Sequence, residues 1–555
     1  MNRRRFLEYL TVGTIAVFAT AASLWYYFGG KRSSTTSAAD VVFTGGTIHL
    51  DTNVTTSVLA VTNGRVIATG GEAETSVGPN TRRVDLKGAH VFPGFQDSHL
   101  HLLEGSYVST QLNLVGADTM SKIAERVSAY AAEHPNVSWI IGFGWYLTSG
   151  DTPSGVALDG VTSGRPMALG DLLGHNLLVN SAAMAQAGIS DSTPDPAGGK
   201  IVRDPKTAKA TGLLMEAAVG LVSEVMMKDL SDQEIAGGLE PALQAFAKLG
   251  FTGVNEVLGA PGLRMARPWL YTQLEKQGKL PLRIHYYVPI FSFEDIDAAV
   301  SFKDRYDAEL VHFAGGKIWA DGAMGSAEAW TSFPHINDPR NFGMHYFTPE
   351  QLQAMVARAE ELHLPLQFHT NGDAAIEAAL KALEFVVEKQ TGLSAQHTLV
   401  HIGFVTAEQR RRIKQLGLVC SVQPAFWAAD PTLKIAAYGT ERWAEAYNFR
   451  ALIDAGITLA MGSDWPVSPT ADPRNVMGTG TLPPHGQSAL TIAEIAKGYT
   501  EGSAQSVKRS DLGQLKPGFA ADLVVLDQNP LQVTNENLGK IQVLETWVAG
   551  RRTMH

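Results

Sequence analysis

The chain has 555 residues, 45% of them hydrophobic and 18% charged, with a formal net charge of -10. That length and apolar fraction suit a large globular enzyme with one big core and an accessory region, and argue against a small binding module. The acidic balance supplies no basic surface for a phosphate backbone, so nucleic acid is not expected as a partner; Cys420, the single cysteine, excludes an intrachain disulfide framework and any multi-cysteine metal site.

Residues 1-39 read as a leader and spacer outside the fold. Asn2-Arg3-Arg4-Arg5-Phe6-Leu7 precedes an apolar run from Leu10 to Phe28, and a Ser/Thr/Ala-rich stretch follows from Ser33 to Ala39. The adjacent arginines and the apolar run are similar to a twin-arginine export signal, which implies the twin-arginine export machinery as a partner. Two fates stay open. The leader is cleaved after Ser37-Ala38-Ala39, or the run is kept as a membrane anchor, with Trp25, Tyr26, Tyr27 and Phe28 at its interfacial end. Either places the body in the periplasm or on the outer face of the inner membrane.

Residues 40-90 and 505-555 are expected to join as one composite β-domain. At the start, Asp40 to Ile48 and Ser57 to Val61 read as short strands, and Asn63-Gly64 is a hairpin turn leading into Arg65 to Ala68. At the end, Ala521 to Asp527 and Val543 to Ala549 have the same character. Between them, residues 91-504 alternate apolar β-branched segments with helical stretches, the pattern of βα units on a parallel sheet. Eight segments read as barrel strands: Val91 to Asp97, Thr252 to Val257, Arg283 to Val288, Lys317 to Ala320, Pro365 to Phe368, Thr398 to His401, Leu418 to Val422 and Thr458 to Gly462. Helices are expected at Pro349 to Leu362, Asp373 to Glu388 and Thr406 to Leu416. The fold class is therefore α/β, a (β/α)8 TIM barrel with a small composite β-sandwich from both chain ends. The gap at 105-250 is too long for one connection and is expected to hold an inserted subdomain.

Polar residues fall where strand C-termini of a parallel barrel open into the mouth. His99 and His101 follow the first segment in Gln96-Asp97-Ser98-His99-Leu100-His101; two apart on an extended chain, they face one side and can grip one metal. Lys317 lies on the fourth segment, His369 ends the fifth, His401 ends the sixth and Asp464 follows the eighth. His397, just upstream of His401, reads as a satisfied core histidine or a support for the site. Trp145 on the inserted segment and Trp465 after the last strand are candidates for substrate contact, with wall packing as the alternative for both.

His-x-His on strand one, Lys on four, His on five, His on six and Asp on eight resembles the ligand set of the amidohydrolase superfamily. The surrounding stretches Gly142-Phe143-Gly144-Trp145, Gly174-His175-Asn176, Ser421-Val422-Gln423-Pro424 and Gly462-Ser463-Asp464-Trp465-Pro466 are similar to its family 3 branch, which includes N-substituted formamide deformylase. The resemblance implies two divalent ions, with Zn2+ the expected metal: His99, His101 and Asp464 on one and His369 and His401 on the other. It implies also that Lys317 is carbamylated and bridges them, which eases the imbalance of one carboxylate against two dications. By the same resemblance Asp464 is the proton shuttle of a hydrolase acting on a non-peptide C-N bond of a small molecule. His175 on the inserted segment is expected as an oxyanion or substrate contact, with a structural hydrogen bond as the alternative, and similar enzymes are often homodimers. Rival readings are an esterase or lactonase on the same site, a mononuclear deaminase using His99, His101, His369 and Asp464, and an exported binding protein without catalysis.

Overall fold

Eight short strands, each too apolar to face water on either side, are satisfied only if helices cover one face and the sheet curls to bury the other. In the computed structural model the barrel strands are β1 (Phe95–Leu100), β2 (Phe251–Val257), β3 (Arg283–Ile290), β4 (Val311–Trp319), β5 (Leu366–Thr370), β6 (Thr398–His401), β7 (Val419–Val422) and β8 (Thr458–Met461). They form one eight-stranded sheet in chain order, every neighbouring pair parallel. Beyond the strand ends the seam between β1 and β8 is drawn together by backbone bonds: the Asp464 N–H donates to the His99 carbonyl and the His101 N–H to the Trp465 carbonyl, both at 2.8 Å. Gly462 is required at this seam, because a Cβ there would lie 2.9 Å from the His99 nitrogen. The fold is thus a TIM barrel with a composite β-sandwich and an inserted subdomain.

The structure describes residues 38–554 apart from 148–149, 172–175, 197–198, 260–265, 326, 429–430, 469 and 484–485. The expected export signal and anchor lie outside the described residues, among which no helix is long and apolar enough to cross a membrane.

Two strand starts differ from the sequence reading by more than one residue. The run Val91 to Asp97 is two strands. His90–Pro93 pairs antiparallel with Leu523–Leu526 in the composite domain, and β1 begins only at Phe95. A continuous apolar run carries no periodicity that marks where the chain changes sheets. β4 starts at Val311, six residues before the expected Lys317, because Gly315 and Gly316 continue the ladder beside Tyr287 and Val288. The helices Pro349–Glu361, Asp373–Val387 and Ala407–Gln415 lie within a residue or two of their expected spans. Thr348 and Thr406 cap the first and third in reciprocal bonds with Gln351 and Gln409.

The chain ends interleave in two sheets that share one core, with Phe43, Leu59 and Val61 of one facing Ile48, Val91, Leu523 and Trp547 of the other. Between β1 and β2 a six-stranded mixed sheet spans Leu112 to Glu216 and has its own core of Leu114, Ile123, Val127, Ile140 and Leu169. A buried ion pair locks the composite domain to the barrel: Arg283 at the start of β3 donates to Asp522 from Nε at 2.5 Å and Nη2 at 3.0 Å, and the Ala549 N–H adds a third donor at 2.8 Å. Asp522→Ala strands a buried guanidinium, so urea unfolding should show a loss of about 3–5 kcal/mol. A loss below about 1 kcal/mol, the range of an exposed pair, would contradict this.

Candidate metal centre

The strand ends place the candidate ligands on one rim. His99 lies within β1 and His101 just after it, Lys317 two residues before the end of β4, His369 in β5, His401 at the end of β6, and Asp464 three residues past β8. All are buried apart from a partly exposed His369. One ligand atom each of His99, His401 and Asp464 lies within 4.8 Å of the others. Asp464 Oδ1 stands 3.3 Å from His99 Nε2 and 3.5 Å from His101 Nε2. The His99 ring is 5.4 Å from that of His101 and 5.3 Å from that of His401, and the His369 and His401 rings are 4.5 Å apart. Asp464 and His401 both sit in the left-handed backbone region, at φ 58° and 77°. Such conformations cost about 1–3 kcal/mol and persist at sites the surroundings over-determine.

Three rings are aimed by oxygens on other strands. His99 Nδ1 donates to Gln367 Oε1 at 2.9 Å, His401 Nδ1 to Gln423 Oε1 at 2.9 Å, and His369 Nδ1 to Asp321 Oδ1 at 2.9 Å. An oxygen acceptor at Nδ1 leaves the lone pair on Nε2, the tautomer a metal ligand needs. Asp321, fully buried, also accepts the backbone N–H groups of Trp330, Asn371 and Gly372. Asp97 accepts from the backbone N–H groups of His99 and Ser463, joining the exits of β1 and β8. Burial pushes its carboxyl up to about 7 against those hydrogen bonds.

Burial also sets the charge state of the centre. It holds His99 and His401 well below the usual imidazole range and lowers His101, so all three are neutral near pH 7, as metal binding requires. Burial pulls Lys317 down to about 7, opposed by the carboxylates of Asp464 and Asp321. Among the described residues, Lys317 Nζ and Asp464 Oδ1 are both buried without a hydrogen bond. Native interiors rarely leave such atoms unmatched, at a cost of about 1–3 kcal/mol each. An amine, a carboxylate and neutral imidazoles with no thiolate form a donor set that fits a divalent metal such as Zn2+, Mn2+, Co2+ or Fe2+.

His175 falls outside the described residues. Trp145 is in the core of the insert, where its indole N–H donates to the Leu169 carbonyl at 2.8 Å, so the structure shows it packing there. Trp465 presses its ring on Gly105, where a Cβ would meet it at 2.2 Å, and lies 5.5 Å from the Phe246 ring. His397 is a satisfied core histidine: Nδ1 accepts from the Leu366 N–H at 3.0 Å and Nε2 donates to Glu360 at 2.6 Å. Sequence reasoning missed Gln367, Gln423, Asp321 and Asp97 as supports. A signal existed for two of them, since Gln367 and Asp97 stand two residues before a histidine and share its side of a strand.

Residues 82–554 match the model of a family described as the amidohydrolase family. YtcJ of Bacillus subtilis is 31% identical over 85% of this chain and 90% of its own length. N-substituted formamide deformylase of Arthrobacter pascens is 26% identical over 90% of this chain and 95% of its own. The crystal structure of an uncharacterized metal-dependent hydrolase from Pyrococcus horikoshii superposes with a TM-score of 0.74 at 28% identity, covering 89% of this chain and 99% of that one.

Proposed function

Because the chain belongs to the amidohydrolase family, we propose that it is a metal-dependent hydrolase that cuts a non-peptide, amide-type C-N bond in a small molecule. One observation carries this reading: Asp464 Oδ1 clusters with His99 and His401 at the barrel mouth, Lys317 interacts electrostatically with His99 and Asp464, and Lys317 Nζ and Asp464 Oδ1 are buried without a hydrogen bond among the described residues. We assign His99, His101 and Asp464 to one Zn2+, His369 and His401 to a second, and Lys317, as its carbamate, to both. A metal bound there acidifies water and polarises a carbonyl oxygen.

The chain's own groups do the rest. Gln367, Gln423 and Asp321 hold three imidazoles with Nε2 inward, so no reorganisation is needed when the centre fills. Asp464 takes a proton from the attacking water as the C-O bond forms, and passes it to the nitrogen as the C-N bond breaks. The nitrogen then leaves as a neutral amine rather than as an anion. Phe426, stacked at 6.0 Å on His401, sets an apolar ring beside the centre, which suits a substrate with an aromatic or alkyl substituent. The leader adds export to this reading, with the same chemistry performed outside the cytoplasm.

A screen of N-formyl and N-acyl amines beside matched esters, on zinc-loaded full-length protein, tests the proposal. Amine release that stops on chelation and returns with zinc is the expected result. Turnover confined to esters would favour the esterase reading, and turnover indifferent to chelation would overturn the metal-dependent one.

A further inference from the structure

His101 differs from the other three histidines of the centre. Its Nδ1 has no side-chain acceptor within hydrogen-bond distance among the described residues, Glu104 Oε2 standing 4.0 Å away, and the backbone at Val257 is what faces the ring. With no side-chain acceptor to aim the ring, its direction depends on backbone, that of the turn that carries it and that of Val257, the residue after Glu256. That backbone is the start of a helix, Leu102–Ser109, in which His101 occupies the N-cap position with φ -119° and ψ 67° and makes no side-chain cap. The first N–H groups of a helix have no partner within it, and a Ser, Thr, Asp or Asn at N-cap usually supplies one. Here that position is given over to an imidazole.

The missing cap comes from another strand. Glu256, on β2 and fully buried, accepts the Leu102 N–H at 2.5 Å on one oxygen and the Leu103 N–H at 2.9 Å on the other. The preceding N–H, that of His101 itself, goes to the Trp465 carbonyl beside Asp464 at 2.8 Å. Three consecutive amides are therefore held by two different strand ends, and the Trp465 ring closes on Gly105 one turn along. A buried carboxylate is a costly cap compared with a local serine or aspartate. What it adds is a fixed rotation of the turn, with His101 Nε2 held 3.5 Å from Asp464 Oδ1.

We propose that Glu256 is a positioning residue of the metal centre, acting through the turn that carries His101. The inference rests on the metal-centre reading above. The test measures zinc affinity by competition with a chromophoric chelator, and metal-free thermal unfolding, on the full chain. Wild type is compared with Glu256→Gln and with the control Asp295→Asn. Asp295 also accepts two backbone N–H groups, both on Oδ2, from Phe291 at 2.8 Å and Ser292 at 2.9 Å, but on the helix after β3. Glu256→Gln replaces one acceptor by a donor and should weaken zinc binding by about 10–100-fold, the usual effect of losing a support behind a ligand. The control should bind zinc as wild type does, even if both variants melt earlier. If Glu256→Gln does not fold, Glu256→Asp, which keeps the carboxyl group but withdraws the oxygens, is measured against the same criterion. Zinc affinity equal to wild type in the folded variant would overturn the role of Glu256. A wild type that binds no zinc would instead overturn the metal-centre reading.

Discussion

Asp464→Asn should lower kcat by about 10²–10⁴-fold, the contribution of a well-placed proton-transfer group, while zinc stays bound. The substitution is nearly isosteric, and asparagine tolerates the left-handed backbone that Asp464 adopts at φ 58°. Its carbonyl oxygen can still face His99 and His101, so the pocket keeps its shape. What is lost is the capacity to accept a proton from water and return it to the amine. Steady-state kinetics at saturating zinc, with metal content measured on the same sample, separate the two effects. Unchanged turnover would remove Asp464 from proton transfer, and loss of zinc together with turnover would make it a ligand first.

Lys317→Met should act in opposite directions on binding and on stability. Methionine matches the length of the lysine stem and fills its space, but it has no amine to carry a carbamate. Zinc binding and turnover should both collapse. The metal-free protein should become more stable by about 1–3 kcal/mol, because a buried amine without a hydrogen bond is replaced by an apolar group. A site that sacrifices stability for function has this signature. Chelator competition and urea unfolding of metal-free protein measure the two quantities. A variant less stable than wild type would mean that the amine has a partner in the folded state that keeps it satisfied.

The candidate ligands could be read from the chain because each is a chemically distinctive residue at the end of an apolar β-branched segment. The order His99, Lys317, His369, His401, Asp464 on strands one, four, five, six and after eight constrains the reading more than any one of them does. The supports were harder to see. Gln367 serves His99 from across the barrel, Gln423 serves His401 from a neighbouring strand, and Glu256 caps a helix far from it in sequence. Those pairings depend on strand register and barrel closure, which a linear pattern of residue types does not encode. The boundary at Gly94 was hidden for a related reason. A run buried on both faces has no alternation to show which of two sheets it serves. Trp145 and Trp465 show the limit of residue type alone, since a tryptophan beside a strand end can line a pocket or seal a core.

Metal stoichiometry tests the central claim most directly. Full-length protein, stripped by chelation and reloaded, should take up two zinc ions per chain, with the mass of one carbon dioxide added on Lys317 in the native protein. One ion per chain with unmodified Lys317 would contradict the two-ion centre and favour the mononuclear reading. No bound ion would contradict the metal centre altogether.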